Sequence, residues 1–310
     1  MTRGTGSDWA LPLIAGAGFR ERLASDPVFT DTFFLLEHRR LRRFYLDTGA
    51  PRLVYLCGEG LSALAHDLGL AGSAGVAVLE VTLAEMLIAG GASPADLRTA
   101  EDHLDRGWNH LSRSAHATVT TRVLPQWYLL RAIVHKARGE TTAYESILTD
   151  GVRDAWIRDH AGPGDRAPIV RQHVMMRQDS HQHLTLLVSA RGYRDERPLE
   201  YYRTMKRVIE FLTNAGLVEA ASTLEREFVA PFARVRHGVP LIARVSFAKN
   251  LAHLSALRGD RQSAAEVLRL AARSADTAGL HGQVRQLRLL TKAVEENDVR
   301  GALETFRLQP

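Results

Sequence analysis

The segment RQHVMMRQDSHQH, residues 171–183, is the best candidate for a polar site in this chain. His173, Arg177 and His181 follow at i, i+4 and i+8 and would share one face of a helix, with Asp179 and His183 on another. In an enzyme these side chains would serve as acid, base and anion clamp. A packing role accounts for the same pattern: His173 and His181 border a stripe of Val170, Val174, Leu184 and Val188 and would bond to a neighbouring helix. His181 and His183 stand about 200° apart around a helix and cannot hold one metal ion together. No metal site and no cofactor is expected.

Two arginine-rich stretches suggest binding. RGYRDERPLEYYRTMKR, 191–207, interleaves Tyr193, Tyr201 and Tyr202 with cations that include Arg203, a composition suited to a groove that holds a peptide or ligand. EHRRLRRFY, 37–45, brings Arg39, Arg42 and Arg43 close together opposite an aromatic stripe. That basic surface would suit phosphate or an acidic partner, and equally a solvated helix end where cations favour the dipole.

The familiar catalytic signatures are missing. There is no glycine-rich phosphate loop, serine-hydrolase elbow, His-Glu-x-x-His or aspartate cluster, which weighs against an enzyme. Cys57 is the only cysteine, so no intrachain disulfide forms; it reads as a small core residue, and a reducing cytoplasm fits. No run of apolar residues is long enough for a membrane span, and WALPLIAGAGF near the N-terminus is too short and broken for an export signal.

The elements that must position these residues read as helices throughout. A chain of 310 residues with 45% hydrophobic and 24% charged residues has ordinary globular composition, and its net charge of +5 permits an acidic partner without demanding one. Residues 1–24 are a glycine-rich arm. In SDPVFTDTFFLLEHRRLRRFYLDTGAP, Ser25 or Asp26 caps a helix, Gly49 with Pro51 stops it, and Phe29, Phe33, Leu36, Phe44 and Tyr45 form its buried face. SPADLRTAEDHLDRGWNHL starts on a Ser-Pro cap and carries Leu97, Ala100, Leu104, Gly107 and Leu111 on one stripe. RLVYLCG would pass for a strand alone, but its neighbours favour helix. GPGDRAP, 162–168, reads as a loop between an N-terminal half, 25–161, and a C-terminal half, 169–310.

NLAHLSALRGDRQSAAEVLRLA, 250–271, splits at Gly259-Asp260 into two amphipathic helices that would pack as a hairpin. Leu251 and Ala252, the Gly-Asp turn, then Ala264, Leu268 and Ala271 resemble the tetratricopeptide repeat. One unit lies near 243–275. A second lies near 282–310, with Leu289, Leu290, Asn297-Asp298, Ala302 and Phe306, and weaker matches surround Ala221, Ala100 and Ala132. The resemblance implies an all-α chain, an α-solenoid of antiparallel helical hairpins in a divergent array.

It implies as well a cytoplasmic interaction or regulatory module that binds a peptide, a protein partner or a small ligand in a concave groove. A second copy of the chain is one possible partner. Of 40 basic residues only four are lysine, a skew that looks actinobacterial, and similar repeats occur in actinomycete regulators behind DNA-binding or ATPase domains. Neither a Walker motif nor a helix-turn-helix is evident here, which points to a stand-alone sensor or adaptor. The competing readings are an enzyme or biosynthetic accessory factor whose pocket the 169–202 segment lines, and a protein that binds RNA or DNA through its arginines.

Overall fold

A computed structural model describes residues 16–90, 93–114, 116–177, 180–235, 239, 241–277 and 279–296. Among them there are fifteen α-helices and no strand, and RLVYLCG lies within a helix. The helices form two compact units, Met1–Arg177 and Gln178–Pro310.

In the first unit, α1 spans Ala17–Ser25, all but its last residue in the stretch expected to be an arm, and buries Leu23. α2 spans Pro27–Thr48. The Asp26 carboxylate accepts from the amides of Val28 and Phe29 at its start, and Gly49 closes it in the left-handed region at φ 64°. The buried face of α2 differs from the expected one. Leu36 is exposed, Phe29, Phe33, Phe44 and Tyr45 are only partly buried, and the innermost side chains are Thr30, Asp31, Phe34, Glu37 and Leu41. Apolar periodicity misses this face because three of its five residues are polar.

α3, Pro51–Asp67, and α4, Ala74–Ala89, follow. α4 is apolar on every side: each residue from Ala74 to Ala84 is buried, and the helix packs against α2, α3, α5 (Pro94–Leu111) and α6 (Ala117–Ala137). A helix with no polar face is stable only when enclosed, since each buried valine or leucine contributes about 1.5–3 kcal/mol. Close approach to α2 depends on Gly75, where a Cβ atom would lie 2.7 Å from the Asp31 carbonyl oxygen. On the outer side of α3, Cys57 is exposed beside exposed Leu53 and Leu56, so it is not the core residue the sequence suggested.

α5 follows the sequence closely. Ser93 and Asp96 form a reciprocal capping box, and Leu97, Ala100, Leu104, Gly107 and Leu111 are all buried. α7, Thr141–Arg153, packs on α6; α8, Ala155–His160, and α9, Pro163–Arg177, complete the unit. GPGDRAP is therefore mostly the first turns of α9 rather than a loop, with Pro163 at the start of the helix and Pro168 inside it. The compact units part after Arg177.

The second unit contains α10, Ser180–Gly192; α11, Pro198–Asn214; α12, Val218–Val235; α13, Leu241–Leu257; α14, Arg261–Thr277; and α15, His281–Glu296. Gly259 shows how one dipeptide makes a hairpin. It adopts φ 80°, which costs glycine nothing, and lets the Asp260 amide donate to the Ser255 carbonyl at 3.0 Å. Asp260 then accepts from the Ser263 amide at 3.0 Å and caps α14. Ala252, Ala264, Leu268 and Ala271 are buried in one cluster with Val284, Leu287, Leu290 and Val294 of α15. The remainder of the expected second repeat, Asn297-Asp298, Ala302 and Phe306, lies outside the described residues.

Candidate functional site

The 169–191 stretch, expected as one helix, belongs to two. α9 ends at Arg177 in the first unit and α10 begins at Ser180 in the second. His173 lies on α9 with a buried, unpartnered Nε2; burial, then Arg177 and Arg153, hold it below the ordinary imidazole value. Arg177 is exposed. Asp179 and the side chain of His181 lie outside the described residues. On α10, Leu184 and Val188 are exposed rather than part of a stripe, while His183 is buried with its ring stacked on Phe211 at 3.7 Å.

The tyrosines expected in a groove are core side chains. Tyr193 is buried, with its hydroxyl 2.9 Å from the Thr204 hydroxyl. Tyr201 and Tyr202 are each 1% exposed and pack with Phe228, and Tyr202 donates to the Ala243 carbonyl at 3.3 Å. Tyr201 and Tyr202 belong to the buried face of α11, which the adjacent arginines obscured. Arg203 is half-buried and donates to Glu200 at 2.6 Å.

The basic surface of α2 is largely neutralised. Arg42 makes a two-pronged contact with Glu85, Arg43 donates to Asp47 at 3.0 Å, and Arg40 donates to Glu37 at 2.7 Å; Arg39 is exposed. A two-pronged arginine–carboxylate pair has little left to offer a phosphate.

A polar centre the sequence reading did not single out lies within the first unit. Glu80, 2% exposed, sits midway along apolar α4, where an isolated carboxylate would be very costly to bury. Three groups satisfy it. Ser62 of α3 donates to Oε1 at 2.5 Å, Arg106 of α5 donates through Nε to Oε2 at 3.1 Å, and His103 Nδ1 lies 2.6 Å from Oε2. Burial alone would raise the Glu80 carboxyl, but the His103 bond and charge, then Ser62 and Arg106, outweigh it and hold the group below the usual carboxylate range. His103 is buried, with Tyr55 edge-on at 5.7 Å and Nε2 without a partner.

Beside this centre a cleft of about 270 Å³ opens between α3, α4 and α5, lined by Ser62, Leu70, Val76, Glu80, Arg106 and His110 among others. His110 has a buried, unpartnered Nδ1. Burial is the main cause that holds it below the ordinary imidazole value, so it is neutral at neutral pH. The sequence signal was there to see, because Glu80 is the only charge in AGVAVLEVTLA.

The second unit has a shallower cleft of about 430 Å³ along α14 and α15. His281, Arg285, Arg288 and Lys292 line it with Leu289 and Asp276. Spacings of three and four place the four basic groups along one side of α15, and exposed Leu289 lies among them. Arg288 approaches Asp276 only at 3.9 Å, with both side chains mostly in water.

Among the described residues no group of three or more His, Cys, Asp and Glu side chains could hold a metal ion, and no helix is long and apolar enough to cross a membrane. No protein family, curated protein or solved structure matches this chain.

Proposed function

We propose that this chain is a helical-repeat binding module, resembling tetratricopeptide proteins in its second unit, and that it acts in the cytoplasm by holding an acidic, partly apolar segment of a partner protein. The observation that carries this reading is the cleft of α14 and α15, where Arg285, Arg288 and Lys292 surround exposed Leu289 on a helix already anchored by Leu287 and Leu290. Cations interleaved with an apolar side chain suit an amphipathic acidic helix or strand better than a bare phosphate backbone. The packing positions Ala252, Ala264, Leu268 and Ala271 support the repeat resemblance and take those residues out of any site.

Charge is distributed accordingly. Residues 1–177 hold 20 basic and 20 acidic side chains, whereas 178–310 hold 20 and 15, so the entire surplus of +5 lies in the unit that carries this cleft. Such a field speeds encounter with an acidic partner and weakens with salt.

A fluorescent peptide of alternating glutamate and leucine turns, titrated against the full chain, tests the reading. The charge-reversed triple variant Arg285→Glu, Arg288→Glu, Lys292→Glu is expected to bind at least tenfold more weakly, with unchanged circular dichroism because all three side chains are exposed. Equal affinity for the variant would overturn the assignment of this surface. Tighter binding of a single-stranded oligonucleotide than of the peptide, lost in the same variant, would replace the protein partner with a nucleic acid.

A further inference from the structure

The cleft of the first unit lies outside the proposed partner surface and has its own chemistry. We propose that it binds a small zwitterion with an apolar side chain, of the size of an aliphatic α-amino acid, with Glu80 facing the ammonium and Arg106 the carboxylate.

Three observations lead there. The two ionic groups lining the cleft, Glu80 and Arg106, have opposite charge and are bonded to each other at 3.1 Å, so the site is electrically balanced and favours a guest whose own charges cancel. A free anion would face Glu80, and a free cation would face Arg106; a zwitterion can satisfy both. Glu80 uses Oε1 for Ser62 and Oε2 for His103 and Arg106, and a carboxylate offers about four lone-pair positions, so one acceptor position remains. Arg106 spends Nε on Glu80, and because His103 Nδ1 gives its proton to Glu80 it accepts nothing from the guanidinium, which leaves the two terminal amino groups of Arg106 for the ligand.

The rest of the lining fits the same guest. Leu70 and Val76 offer an apolar wall, and the buried Nδ1 of His110 lacks a partner that a bound polar group would supply. A cleft of about 270 Å³ falls just below the usual range of about 300–1,000 Å³ for drug-sized ligands, which limits the guest to a single small metabolite. Purely structural packing would account for Glu80 and its three donors. It would not call for an open cleft beside them or for the vacant imidazole nitrogen.

Calorimetric titration of the full chain with leucine, 4-methylpentanoate and isopentylamine separates the possibilities, because the last two each carry one half of the zwitterion on the same apolar chain. Leucine is expected to bind at least tenfold more tightly than either. The affinity is expected to fall at least tenfold in Arg106→Gln and several-fold in His110→Ala, the second variant remaining informative if the first folds poorly. Absence of leucine binding at 10 mM ligand, 4-methylpentanoate bound as tightly as leucine, or leucine affinity untouched in His110→Ala and a folded Arg106→Gln would each overturn the proposal. None of these outcomes bears on the peptide surface of α15, whose variant leaves this cleft intact.

Discussion

Single ionisable side chains inside the first unit do more than their surroundings suggest. Glu80 shows that a carboxylate can sit in the most apolar helix of the chain when three donors from two other helices reach it. Removing one partner from such a centre leaves the others stranded, which is why buried polar networks cost more to break than to replace. His38 shows the opposite outcome. Burial, then the positive charge of Arg42, outweigh the attraction of Glu85, with Arg39 adding to the repulsion, and hold its imidazole down to about 4. In the unfolded chain the same ring takes a proton near 6.5, so between those values the unfolded state binds more protons. Stability therefore falls as pH drops from about 6.5 toward 4, by about 2 kcal/mol once water around the half-buried ring is allowed for. Urea unfolding at pH 7.5 and pH 4.5 is expected to show a smaller acid loss in His38→Gln than in the wild type by roughly that amount. Glu37, raised chiefly by burial, opposes the trend near the acid end, but it is common to both proteins and cancels in the comparison. Equal acid losses would show that His38 titrates normally.

Helices differ in how much of their role was written in their own sequence. α5 was legible almost completely, because Ser93 and Asp96 announce its start and its buried stripe repeats every three or four residues. The hairpin at Gly259 was legible for a similar reason: the turn dipeptide and the small residues beside it act locally. α4 was recognisable as a helix, but its central place and its glutamate were not, since a segment apolar on all sides has no preferred face and Glu80 is explained only by Ser62, His103 and Arg106 from elsewhere. The polar face of α2 and the core tyrosines of α11 were missed on the same ground, their partners being distant in sequence. The segment at 169–191 misled because one helical period runs through residues that belong to two helices.

The glycines provide a test of this distinction between local and distant causes. Gly75 and Gly60 both lie inside helices, yet only the first touches another element: a Cβ at Gly75 would meet the Asp31 carbonyl and the Phe34 Cβ at 2.7 and 2.9 Å, while one at Gly60 would meet nothing within 4 Å. Gly75→Ala is expected to destabilise by about 1–3 kcal/mol by forcing α4 away from α2. Gly60→Ala should stabilise by about 0.5–1 kcal/mol by restricting the unfolded chain. A thermal midpoint that fails to fall in Gly75→Ala would refute the packing assigned to the α2–α4 crossing.

On the scale of the whole molecule, cores and charges are both divided. The first unit is built around α4 and is electrically balanced; the second has a separate cluster around Leu268 and carries the positive surplus. A molecule so divided can place two binding tasks, a small balanced cleft and a basic surface, under separate structural control. The prediction is specific. Leu268 is fully buried among Ala264, Ala271 and the side chains of α15, so Leu268→Ala removes about 2–5 kcal/mol through lost burial and the cavity it leaves. Hydrogen exchange measured by mass spectrometry is expected to show loss of protection across α13–α15, while peptides from α4 and α5 keep their wild-type rates. If amides of α4 speed up by the same free energy, the two cores unfold as one cooperative body. Ligand binding in the first unit would then stabilise the basic surface of the second through mass action, and the two sites would be energetically coupled.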